Sequence, residues 1–138
     1  MRGIRRKLLP NVGSSGAKVD EMVQEVLIVI NDAPYGTEKA YNALRLSIAL
    51  QARENKVVVF LMADAVYCGL SKQETPQGYY NVGEMIVRVL AKGGRVAACG
   101  SCMKARGLTV DGMVMGVEQG SMALLSEWTE KCDKIHSF

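Results

Sequence analysis

The sequence has no apolar run that approaches the roughly 18 residues of a membrane-spanning helix, and no apolar segment typical of a secretory signal. It has one histidine and a single Cys-x-x-Cys pair, which gives a zinc site little support. Its four cysteines in 138 residues are too sparse for a disulfide-stapled secreted domain. We therefore expect a cytoplasmic protein with reduced thiols, no metal and no membrane contact.

Clustered positive charge is missing from most of the chain. Five basic residues precede Asp20, so the formal charge of +3 becomes about −2 for the remainder. A mildly acidic body without a stripe of basic and aromatic residues argues against nucleic-acid binding, because phosphate contacts need clustered Lys and Arg. We expect residues 1–21 to be a basic flexible tail and residues 22–138 to form one domain with its own core.

Apolar, β-branched runs alternate with segments of helical periodicity. The clearest strands are 26–30 and 56–62, whose continuous apolar character is typical of strands covered on both faces. Shorter strand candidates are 95–98, 113–115 and 134–136. Helices are predicted from Thr37 to Arg53, from Asn81 to about residue 92, and from Ser121. This order predicts an α/β fold, a three-layer sandwich with a mainly parallel five-stranded sheet.

Three chemically active side chains follow predicted strands directly. Asp32, Asp64 and Cys99 each lie just past a carboxyl end, and these ends meet at one edge of a parallel sheet. We expect a shared site there, beside the reversal of strand order, with Cys99 next to the first and third strands. Residues 66–80 form a long loop, rich in tyrosine and containing Cys68, that we interpret as a lid or a subunit contact.

The Cys99-Gly100-Ser101-Cys102 segment joins a short strand to a short helix that carries Lys104 and Arg106. Backbone N–H groups at the start of a helix, together with nearby cations, stabilise a thiolate and lower its pKa. The pattern therefore predicts nucleophilic sulfur at Cys99 and Cys102. Two inert, buried thiols remain the alternative.

The same sheet edge would hold the phosphate of a flavin in a flavodoxin-like fold. Here the first loop carries Asp32 and Glu38 and has no cradle rich in Ser and Thr. Two carboxylates oppose a phosphate, so we expect no flavin and no other cofactor.

Several motifs in one register resemble the DsrE/DsrF-like family (DsrE/TusD-related), and are most similar to its YchN-like branch. The resemblance runs from about residue 25 to the C-terminus. Its motifs are residues 29–38, 44–50, 60–66, 99–102, 106–107, 116–118, 127–129, 132–134 and Phe138. It implies a flavodoxin-like sandwich, a cytoplasmic homo-oligomer (hexamer or trimer) and a role in sulfur relay or sulfur metabolism.

The resemblance also assigns roles to individual residues. It implies that Cys99 accepts sulfur as a persulfide and that Cys102 is a resolving thiol or a second carrier. Cys68 lies outside the family pattern and is a possible accessory thiol. The expected supporting residues of the pocket are Asn31, Asp32, Tyr35, Asp64, Lys104 and Arg106.

Three functions are compatible with this sequence. The first is a persulfide carrier, a sulfurtransferase-like protein that takes sulfane sulfur from a donor protein and passes it to an acceptor protein. The second is a dithiol redox module in which Cys99 and Cys102 form a disulfide. The third is a non-catalytic oligomeric binding protein with structural cysteines.

Overall fold

The structure is a computed structural model that describes residues 7–8 and 22–138. Its strands are β1 (Lys7–Leu8), β2 (Met22–Val23), β3 (Glu25–Ile30), β4 (Lys56–Leu61), β5 (Arg95–Cys99), β6 (Val117–Gly120) and β7 (Lys134–Ser137). Its helices are α1 (Lys39–Ala52), α2 (Val82–Ala91), α3 (Gly100–Ala105) and α4 (Met122–Lys131), with short 3-10 helices at Ala63–Gly69 and Val110–Gly112.

Five parallel strands form the central sheet in the order β6-β5-β4-β3-β7. The predicted α/β fold is therefore confirmed. Helices α1 and α2 pack against each other, α1 beside β3 and β4 and α2 beside β5. Trp128 of α4 packs edge-to-face against Phe60 of β4 with 6.0 Å between the ring centroids. The connections run from β3 across the sheet to β6 and then back to β7, and helices cover both faces of the sheet.

The strand order corrects the expected neighbours of Cys99. The four strands from β3 to β6 follow one another across the sheet, and only β7 returns to the other side of β3. The first and third strands of the sheet, β3 and β5, are therefore separated by β4, a distance of about 10 Å at the usual strand spacing. Cys99 lies between the ends of β4 and β6, away from the reversal of strand order.

The fourth strand of the sheet was predicted at the wrong place. Residues 113–115 are not a strand: Met113 is buried and forms an isolated bridge to Leu70, and Met115 is 96% exposed. The strand begins after Gly116, whose φ of 104° suits glycine. Because β6 is an edge strand with polar Glu118 and Gln119, its hydrophobic pattern is weak and the neighbouring methionines gave the stronger signal.

The tyrosine-rich loop is also shorter than predicted. Its first residues belong to the 3-10 helix Ala63–Gly69, in which Val66 and Cys68 are fully buried. Asn81 begins α2 as predicted, since its side chain accepts a hydrogen bond from the N–H of Glu84 at 3.0 Å. The N-cap of α1 is Glu38 rather than Thr37, but the Thr37 hydroxyl accepts a hydrogen bond from the N–H of Lys39, the first residue of α1, at 3.3 Å.

Of the predicted tail, only Lys7–Leu8 belongs to the described residues, and it pairs antiparallel with Met22–Val23. The rest of residues 1–21 lies outside them. Within the described part of the chain, no helix is both long and apolar enough to cross a membrane.

Gly120, the last residue of β6, packs so closely against the Phe60 ring that there is no room for a side chain. A Cβ atom at Gly120 would lie 2.8 Å from Cε2 of Phe60 and 2.9 Å from its Cζ. The ring is buried and packs against Trp128, so a Cβ atom at Gly120 would force it away from its present packing.

Replacing Gly120 with alanine should therefore destabilise the protein by about 1–3 kcal/mol, the usual range for overpacking a core. Gly112→Ala is the matched control, because a Cβ there meets nothing within 4 Å. Urea denaturation of both variants checks the prediction. Equal unfolding midpoints for Gly120→Ala and Gly112→Ala would contradict it.

Candidate functional site

Cys99 is both the last residue of β5 and the N-cap of α3. Its side chain is 7% exposed, and its Sγ accepts a hydrogen bond from the N–H of Cys102 at 3.4 Å. The Ser101 hydroxyl lies 3.4 Å from the same sulfur. The strand-to-helix turn thus surrounds the Cys99 sulfur with donors, in agreement with the turn predicted from the Cys-x-x-Cys segment.

Cys102 faces a different neighbour. Its Sγ accepts a hydrogen bond from the N–H of Ala63 at 3.2 Å, in the connection that follows β4. Ala63 has a φ of 52°, an uncommon value for a residue with a Cβ atom. In this backbone conformation the N–H of Ala63 points at the sulfur, so a hydrogen bond links Cys102 to the segment after β4.

An ion pair between Asp64 and Arg106 lies next to the hydrogen bond between Ala63 and Cys102. Arg106 Nε donates a hydrogen bond to Oδ1 of Asp64 at 2.9 Å, and Arg106 Nη2 is 2.8 Å from the same oxygen. Its Nη1 donates to the carbonyl oxygen of Cys102 at 3.0 Å. Two of the predicted supporting residues therefore meet, and they hold the backbone of Cys102 rather than the sulfur of Cys99.

The two thiols of the pair have opposite pKa shifts. Burial raises the pKa of the Cys99 thiol, but hydrogen bonds from Cys102, Ser101 and their backbone N–H groups outweigh it, so the pKa lies below its ordinary value. Burial and the hydrogen bond to Cys99 hold the pKa of Cys102 above its ordinary value. Cys99 is therefore the thiol that loses its proton first.

A cleft of about 400 Å³ opens beside Cys99. Phe60 and Met62 line it from the end of β4, Gln119 and Gly120 from β6, and Ser121 and Met122 from the start of α4. Ser101 and Lys104 of α3 complete the lining, together with Cys99 and Gly100. Cys102 is not among these residues, so the cleft gives access to Cys99 alone of the pair.

Asn31 and Asp32 lie at the same edge of the sheet but serve other contacts. The Asn31 amide donates to Ser137 Oγ and to the carbonyl oxygen of Phe138, both at 3.1 Å. Asp32 accepts a hydrogen bond from Thr37 at 2.9 Å. Both residues follow β3, with β4 between them and Cys99, so they do not join the cysteine pair.

Tyr35 belongs to an aromatic cluster formed by Tyr35, Tyr41, Tyr79 and Tyr80. Tyr80 stacks on Tyr41 with 4.1 Å between centroids and on Tyr79 with 4.5 Å. The Tyr35 hydroxyl donates a hydrogen bond to Oε1 of Gln73 and accepts one from the N–H of Val82, at the start of α2. The predicted aromatic loop thus packs on α1 and α2, and none of its tyrosines lines the cleft beside Cys99.

Cys68 is fully buried, and burial raises the pKa of its thiol to about 12. Its nearest polar contact is the carbonyl oxygen of Asp32 at 3.9 Å. A neutral thiol in this position is a poor nucleophile. The geometry therefore gives no support to an accessory role for Cys68.

Several residues of the site were missed by the sequence analysis. Ser101 was a detectable candidate, because it lies between the two cysteines. Gln119 and Met122 reach the cleft only because β6 begins at Val117, and the predicted strand was earlier in the chain. Throughout the described residues, no group of three or more His, Cys, Asp or Glu side chains is arranged to hold a metal ion.

Comparisons with known proteins match most of this chain. The model of the DsrE/DsrF-like family matches residues 24–138. Protein YchN of Escherichia coli is 39% identical over 118 residues, which are 84% of this chain and all of YchN. An uncharacterized protein of Methanopyrus kandleri is 36% identical over 118 residues, 86% of this chain and 97% of its own length.

Solved structures are similar over the same region. The crystal structure of YchN superimposes with a TM-score of 0.80 over 84% of this chain and all of that chain, at 39% identity. A protein of unknown function from Methanobacterium thermoautotrophicum gives a TM-score of 0.65 at 16% identity, over 83% of this chain and 99% of that one. The second likeness concerns the fold alone.

Replacing Ser101 with alanine should raise the pKa of Cys99, because the thiolate loses one hydrogen-bond donor. The rate of iodoacetamide alkylation of Cys99, followed against pH by peptide mapping, measures this pKa. Ser126→Ala is the matched control, since its hydroxyl donates to a carbonyl within α4. An unchanged pH profile in Ser101→Ala would contradict the assignment of Ser101 as a donor to the thiolate.

Proposed function

Since the chain belongs to the DsrE/DsrF-like family, we propose that it is a sulfur-relay protein in which Cys99 carries sulfane sulfur as a persulfide. The observation that carries the proposal is the position of Cys99. Its sulfur is the more acidic thiol of the pair, has several hydrogen-bond donors, and lines a cleft of about 400 Å³. A thiolate at the edge of such a cleft is a nucleophile with room beside it for a transferred sulfur atom.

The proposed transfer is an exchange between sulfur atoms without net oxidation. The Cys99 thiolate attacks the outer sulfur of a donor persulfide, and a new S–S bond forms as the donor's own S–S bond breaks. The donor leaves as a thiolate and takes up a proton. Cys99 then holds the outer sulfur until an acceptor thiolate removes it in the same way.

Cys102 has a separate role in this proposal. It lies outside the cleft, and its raised pKa keeps it protonated, so its S–H stabilises the Cys99 thiolate. After loading, Cys102 can lose its proton and attack the inner sulfur of the Cys99 persulfide, so that a Cys99–Cys102 disulfide forms and the outer sulfur leaves as hydrosulfide, which takes up a proton to give hydrogen sulfide. This resolving reaction would remove the sulfur when no acceptor arrives, and an external thiol reductant would then have to reduce the disulfide before Cys99 could be loaded again.

The closeness of the two cysteines, shown by the hydrogen bond from the N–H of Cys102 to the Cys99 sulfur at 3.4 Å, also favours a second candidate, a dithiol redox module. In that function the pair gives two electrons and two protons to a disulfide substrate, and the substrate is reduced to two thiols. No sulfur atom remains on the protein. The two functions therefore differ in the mass of the product.

Incubation of the reduced protein with a persulfide donor should add about 32 Da per sulfur atom, reversibly with a reductant. Cys99→Ala should abolish the gain, because the acceptor sulfur is missing. Cys102→Ala should keep the gain and lengthen its lifetime, because the resolving thiol is missing. Intact-mass measurement with peptide mapping checks each variant.

Cys132→Ala is the control for the loss of a thiol outside the site. Burial and nearby carboxylates raise the pKa of Cys132 to about 11, so its removal should leave the sulfur gain unchanged. A loss of about 2 Da without added sulfur, abolished by either Cys99→Ala or Cys102→Ala, would support the dithiol module instead. If Cys99 changes in neither way, a non-catalytic binding protein becomes the better interpretation.

We also propose that the protein works in the cytoplasm as a homo-oligomer, a trimer or a hexamer. Large apolar side chains are exposed at Val87, Met115 and Ile135, where a second copy would cover them. Native mass spectrometry should show a single assembly of three or six chains. A monomer at micromolar concentration would contradict this proposal.

A further inference from the structure

The cleft beside Cys99 restricts what can reach the sulfur. With Cys99 only 7% exposed, a reacting group has to enter the cleft to make contact. The volume of about 400 Å³ lies at the small end of the range for pockets that hold small molecules, roughly 300–1,000 Å³. Met62 and Met122 form apolar walls, and Met122 is 64% exposed at the opening.

The charge of the cleft has one sign. Of the residues that the structure describes in its lining, Lys104 carries a formal charge and none is acidic. Asp64, which contacts Arg106 just after α3, is outside the lining and is already paired with that guanidinium at 2.8 Å. Ser101 and Gln119 add neutral polar groups that can bind an anion or its water shell.

We propose that the sulfur donor to Cys99 is a low-molecular-mass persulfide with a carboxylate or similar anionic group, and that Lys104 selects it. This inference rests on the proposed persulfide function and names the class of its donor. The carboxylate lies near the ammonium group of Lys104, and the apolar carbon chain lies against Met62 and Met122. The S–SH end then faces Cys99.

The reaction balances without an oxidant or a reductant. Cys99 as a thiolate forms a bond to the outer sulfur of R–S–SH, and the bond between the two donor sulfurs breaks. The products are the Cys99 persulfide and RS⁻, which takes up the proton that Cys99 released. Lys104 does not react; it binds the anionic group and so determines which donor reaches Cys99.

A matched pair of donors tests the inference: the persulfides of 3-mercaptopropionate, an anion, and of cysteamine, a cation. At low ionic strength the anionic donor should load Cys99 faster, as measured by the rate of mass gain. Lys104→Gln should slow the anionic donor about threefold, the size expected for one exposed charge. Lys104→Glu should reverse the preference between the two donors, which a merely structural role of Lys104 would not do.

Lys92→Gln is the matched control, because Lys92 is exposed at the end of α2 and does not line the cleft. It should leave both rates unchanged. The preference of the native protein should also shrink in about 1 M salt, where the screening length falls to roughly 3 Å.

The results separate the two proposals. If Cys99 gains sulfur equally fast from both donors in the native protein and in Lys104→Glu, the inference about the donor is wrong and the persulfide function stands. If a persulfidated protein loads Cys99 faster than the anionic small donor, the donor class is likewise wrong. If no donor of any kind adds sulfur to Cys99, the proposed function itself fails.

Discussion

The lateral pairing of β4 with β3 and β5 is the constraint on which the rest of this structure depends. Parallel strands in register end at the same edge, so the pairing sets the segment after β4 beside the turn that follows β5. The N–H of Ala63 then meets the sulfur of Cys102, and Asp64 meets Arg106. The position of the cysteine pair is thus a consequence of how the sheet is assembled.

The turn from β5 into α3 gives two chemically similar side chains different environments. Cys99 ends a buried strand and opens onto the cleft, whereas Cys102, one helical turn later, is held against the segment after β4. Hydrogen bonds favour the charged form of Cys99, whereas burial and the interaction with Cys99 outweigh the Ala63 N–H and favour the neutral form of Cys102. A short peptide with the same four residues would lack both the cleft and the Ala63 contact, so the difference depends on the tertiary structure.

Local patterns were sufficient to predict much of the fold. The continuous β-branched runs identified β3 and β4, the polar caps Asn81 and Ser121 placed two helices, and the strand-turn-helix at Cys99 was visible in the sequence. The paired Asp64 and Arg106 were both named as site residues, but no local signal showed that they would bind each other.

The errors came from features that local patterns do not encode. The order of strands depends on the direction of each crossover, which the sequence does not show. In the actual order β4 separates Asn31 and Asp32 from Cys99. The edge strand β6 carries few apolar residues, so the apolar pattern at Met113 and Met115 was stronger and the strand was predicted there instead. The cleft itself is formed by three separate stretches of the chain, so its lining was not predictable until β6 and α4 had been placed.

The contact of Phe60 with Trp128 has an optical consequence. Trp128 is the sole tryptophan of the sequence; it is buried, and the guanidinium of Arg95 lies 5.1 Å from its ring. Its ring forms a T-shaped pair with Phe60, and Phe60 also lines the cleft beside Cys99. Fluorescence excited at the red edge of the absorption band, where tyrosine does not absorb, therefore comes from a single indole that contacts a residue of the cleft wall, a built-in reporter that needs no attached dye.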